Sequence, residues 1–147
     1  MAGFSDTFET DLCKIIFNAV AIANIADNAA GSPLTNLWVA LHTADPTDSG
    51  TQGNSEGGYT QYTRISVART TGGWVVSTGG GNVSNVANVD FPQNTSTSTG
   101  TFTHASIGVT SSSTGSKIIA AGTISPSINF SQNVTPRLTT SSSFTLD

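Results

Sequence analysis

From Leu37 onward the chain is cut into short runs rich in Val, Ile, Thr and aromatic residues, each closed by a cluster of Gly, Ser, Thr or Asn. Punctuation this frequent leaves room for strands and none for long helices. The runs fall at residues 37–43, 60–68, 74–77, 82–91, 101–109, 117–124, 128–131 and 143–146. A series of short strands with no helical pattern between them predicts a mainly β fold, a jelly-roll-like antiparallel β-sandwich. It excludes the alternating strands and helices of an α/β enzyme. Gly72-Gly73, Gly79-Gly80-Gly81 and Thr114-Gly115 supply turn positions. The Ser/Thr runs 95–99 and 111–113 read as loops between strands.

One helix is expected ahead of the sheets. Phe8, Leu12, Ile15, Ile16, Ala19 and Val20 recur at spacings of three and four, which predicts an amphipathic N-terminal helix over residues 6–22. Ser5 or Asp6 caps its start, with Glu9 completing a capping box. With 147 residues there is material for one core. The expectation is a single domain in which residues 1–36 form an arm, helix and connection packed on a sandwich of residues 37–147.

Charge narrows the partners. Only 10% of residues are charged, and the net charge is -4. Five Lys and Arg in the whole chain are too few to neutralise a nucleic-acid backbone. The balance is uneven: through Glu56, seven acids against Lys14 leave -6, while the remainder carries +2. Such asymmetry suits contact between copies. Cys13 is alone in the sequence, so no internal disulfide is expected, and its helical pattern reads as a small buried hydrophobe. No segment has the length or pattern of a signal peptide or a bilayer span, so no membrane partner is expected.

The segment 37–67 contains a strand, a turn-rich loop and a second strand, without the residue sets that chemistry requires. His42 and His104 lie within predicted strands and read as hydrogen-bonded structural histidines. Serines are abundant, but the helix and strand alternation that supports a nucleophile elbow is absent. Asp45, Thr47, Ser49, Gly50 and Glu56 fall in the register of a calcium loop. Pro46 and Gln52 break that motif and the flanks are strands, so Asp45-Pro46 reads as a turn starter. No catalytic residue, metal or cofactor is expected. Trp38 is assigned to the core or to a partner contact, and Tyr59 and Tyr62 to strand-edge packing or partner contact.

Four strings carry a family likeness. They are Met1-Ala2-Gly3-Phe4-Ser5-Asp6, Leu37-Trp38-Val39-Ala40-Leu41-His42-Thr43-Ala44-Asp45-Pro46, the step from Glu56-Gly57-Gly58-Tyr59 to Tyr62-x-Arg64, and Phe144-Thr145-Leu146-Asp147. Together they resemble a family of small tailed-bacteriophage virion proteins, the capsid cement or decoration proteins, often labelled phage tail fibre proteins. The resemblance implies a jelly roll on the capsid exterior that bridges major capsid protein subunits in the expanded shell, made in the host cytoplasm. It also implies assembly with further copies as a dimer or trimer. Candidate contacts with the capsid or between copies are Phe4, Trp38, Asp45, Asp48, Glu56, Tyr59 and Tyr62. A tail or tail-fibre component is the alternative, and a carbohydrate-binding module a third reading.

Overall fold

The computed structural model describes residues 6–22, 33–47, 49–79, 81–112 and 117–145. The protein is mainly β, with antiparallel sheets and one short helix near the N-terminus, consistent with a β-sandwich. It divides into two compact units: residues 1–36, 67–88 and 139–147 in one, and residues 37–66 and 89–138 in the other.

The first unit holds the helix α1 (Asp6–Phe17) and a three-stranded sheet of β3 (Trp74–Val76), β4 (Asn82–Asn85) and β9 (Ser143–Thr145), in the order β3-β4-β9. The helix buries Thr10, Cys13 and Phe17, a face rotated from the predicted one; Leu12, Ile15 and Ile16 are only half-buried. Phe17 meets Trp74 edge-on at 5.2 Å and Phe144 at 5.1 Å, and the Cys13 thiol donates to the Gly81 carbonyl. The helix also ends earlier than its apolar periodicity predicts. Val20 N–H reaches back to the Lys14 carbonyl at 3.2 Å while Ala19 takes a left-handed φ of 58°, the backbone reversal that commonly ends a helix. The Arg69 guanidinium then donates to the Ile15 and Ile16 carbonyls, placing a cation on the negative end of the helix dipole. Val20 is left exposed.

The second unit is built on a four-stranded sheet whose order is β2-β1-β6-β7, from β1 (Asn36–His42), β2 (Ile65–Ala68), β6 (Gly100–Gly108) and β7 (Ile118–Phe130). A two-stranded ribbon of β5 (Val89–Asp90) and β8 (Arg137–Leu138) completes it, tied on its surface by the Asp90–Arg137 ion pair. The predicted strand at 82–91 is two strands, β4 and β5, because the Asn85 amide turns inward to donate to the Ala87 and Thr139 carbonyls. The predicted strands at 117–124 and 128–131 are one element, β7. The expected break survives as a bulge: Phe102 pairs with Ile128 but His104 pairs with Thr123, so four residues of β7 stand against one of β6.

An aromatic cluster packs this unit. Phe102 and Phe130 lie 4.6 Å apart, Tyr59 sits 5.5 Å from Phe130, and Tyr62 stacks on Phe91 at 5.7 Å. Gly58 and Gly100 give Phe130 its place, since a Cβ at either would come within 2.6 Å of the ring. β1 is buried almost throughout, from Val39 to His42 without alternation. A strand buried on both faces needs a cover on each, and one cover is the connection between β1 and β2.

Candidate functional site

Residues 43–64 leave β1, fold back over their own sheet and return at β2. Their anchor is an ion pair. Arg64 donates from Nε to Glu56 Oε1 and from Nη2 to Glu56 Oε2, each at 2.7 Å. The two side chains are 2% and 9% exposed, Arg64 first. The third nitrogen, Nη1, donates to the carbonyls of Thr110 and Ser112 at 2.9 and 2.5 Å, just beyond β6. A guanidinium with four of its N–H groups on these acceptors tolerates burial, because the hydrogen bonds lost to water are largely replaced.

The pair fixes what surrounds it. Glu56 bridges to His42, Gly57 N–H donates to the Leu41 carbonyl at 3.1 Å, and Thr43 N–H donates to the Ser55 carbonyl at 2.9 Å. Gly57 has φ of 72°, and a Cβ there would lie 2.9 Å from the Tyr62 ring, so the position requires glycine. The Tyr62 hydroxyl accepts the Leu41 N–H at 2.8 Å and lies 3.3 Å from Glu56 Oε1. Burial, with the Glu56 carboxylate adding to it, raises the Tyr62 pKa far above its ordinary value, so the hydroxyl stays a donor. Tyr59 donates to the Pro92 carbonyl at 2.7 Å, and burial pushes its phenol up to about 12.

Gln52 pins the middle of the loop. Its Nε2 donates to the Trp38 carbonyl at 2.7 Å, and the side chain is fully buried over Gly108, where a Cβ would meet Oε1 at 2.2 Å. Thus the polar residue that breaks the calcium motif is the one that fastens the loop to the sheet. Both Glu56 oxygens are already engaged by Arg64, and among the described residues no group of three His, Cys, Asp or Glu could hold a metal ion. Asp45 starts a turn: its Oδ1 accepts the Thr47 N–H at 2.9 Å.

Of the candidate contacts, Glu56, Tyr59 and Tyr62 come together, with their polar atoms turned to partners inside this unit. Trp38 is half-buried on β1 and Asp45 is exposed. Phe4 and Asp48 lie outside the described residues. The residues that hold the loop, Arg64, Gln52 and His42, are not among the candidate contacts; the Glu56 to Arg64 string carried the signal for Arg64, His42 was expected as a hydrogen-bonded structural histidine, and Gln52 stood out only as a break in the calcium register.

His42 and Ser106 form a close pair, with Nε2 2.7 Å from Oγ. Nδ1 lies 2.8 Å from the Asn54 carbonyl, which assigns the proton to Nδ1 and leaves Nε2 to accept from the serine. This resembles a nucleophile and base, but His42 is 0% and Ser106 2% exposed, so no substrate carbonyl reaches the hydroxyl. The expectation that no serine lies in a Gly-x-Ser-x-Gly elbow is corrected by Gly53-Asn54-Ser55-Glu56-Gly57, which has that spacing. Ser55 has the positive φ of such an elbow, 52°, yet it sits in turns between two strands with no helix following. What the arrangement does is present a braced rim of polar groups, with Thr43, Asp45, Thr47, Ser49, Asn54 and Ser55 all exposed.

Residues 3–143 match a protein-family model, Gp80, described as podophage GP4 fiber I protein gp80. No curated protein matches the chain.

Replacing Glu56 by Ala leaves the Arg64 guanidinium buried without its counter-charge, and is expected to cost about 3–5 kcal/mol in urea unfolding. A loss below about 1 kcal/mol, the range of exposed pairs, would show that the pair anchors nothing. His42 gives a pH signature. Burial pulls its pKa below the ordinary value, outweighing the Asn54 carbonyl and the Glu56 carboxylate, which act upward. Its stabilising contribution is complete above the unfolded pKa of about 6.5 and is lost as pH falls toward the folded value, by at most about 1.4 kcal/mol per pH unit. The urea midpoint is expected to drop between pH 7 and pH 5, and His42→Gln to flatten that slope.

Proposed function

The chain belongs to the Gp80 family of podophage GP4 fiber I proteins, a family of phage structural proteins, and on that premise we propose that it is a fibre component of a podophage virion. The observation that carries this reading is the extent of the family match, residues 3–143 of 147. The geometry accords with it. A loop whose backbone is held by the Glu56–Arg64 pair, Gln52 and His42 offers its polar rim in one conformation, so a contact made there loses little entropy. The role is structural: among the described residues, the serine and histidine that pair closely, His42 and Ser106, are sealed inside the protein.

Capsid decoration is the second reading, favoured by the string from Leu37 to Pro46 that resembles cement proteins. The two readings place different numbers of copies on each particle. A fibre component is present in a few to a few dozen copies, whereas a shell protein that bridges capsid subunits is present in hundreds. Quantitative mass spectrometry of purified virions, with an antibody label to locate the protein, is expected to give the smaller number at the tail. Hundreds of copies spread over the shell would replace the fibre reading by decoration.

A further inference from the structure

We draw no further inference here: the strongest candidate, the half-buried Leu12, Ile15 and Ile16 stripe of α1 continued by the exposed Val20 and Leu34, is an apolar face for which nothing in the structure shows what covers it.

Discussion

The two hydrogen bonds between the Arg64 guanidinium and the Glu56 carboxylate are the point on which the second unit turns. A long connection between two neighbouring strands ordinarily lies in solvent, because its backbone groups need water. Here the connection is folded onto the sheet, and most of its polar groups that lose water have named replacements, Gln52 Oε1 being the buried exception. Arg64 takes the Thr110 and Ser112 carbonyls just beyond β6, Gln52 Nε2 takes the Trp38 carbonyl, Tyr62 takes the Leu41 N–H, and His42 takes Asn54 and Ser106. Removing one charge of the pair would strand the other in a site that was shaped for both. The unbroken burial of β1 from Val39 to His42 follows from this cover, as does the downward shift of the His42 pKa.

The same network takes up the groups from which a hydrolytic site could be built. A histidine, a serine and a carboxylate all occur within a short distance of one another along the loop and sheet, which is the raw material of a hydrolytic site. Their hydrogen bonds are spent on structure: the imidazole is oriented by a backbone carbonyl, the serine is sealed beneath it, and the carboxylate is paired. What remains on the outside of the loop is polar. That surface is compatible with membership of a phage fibre protein family.

Elements governed by local pattern were legible in the sequence, and those governed by distant partners were not. The strand at 37–43, the Asp45-Pro46 turn and the irregularity at 125–127 were all readable, because alternation, turn chemistry and proline act over a few residues. The end of α1 was not. Periodicity runs on through Val20, and the stop depends on Arg69, far along the chain. The buried helix face was misread for a related reason: Phe17 is drawn to Trp74 and Phe144, so Leu12 and Ile15 cannot occupy the same side. In the loop, Glu56 was legible as an acid on a turn-rich segment, but its pairing was hidden because a salt bridge across eight residues of irregular backbone leaves no periodic trace. Glutamine at position 52 looked like a defect in a metal loop until its strand partner was seen.

Native-state hydrogen exchange at the amides of Leu41, Thr43 and Gly57 asks most directly whether the loop belongs to the core it covers. These amides donate to Tyr62, Ser55 and Leu41, each across the seam between loop and strand. If the ion pair makes loop and sheet one cooperative element, they exchange at the rate of the β6 amides, through the same global opening. Exchange faster by orders of magnitude, with the β6 amides still protected, would mean that the loop opens by itself and that Glu56 and Arg64 do not hold it.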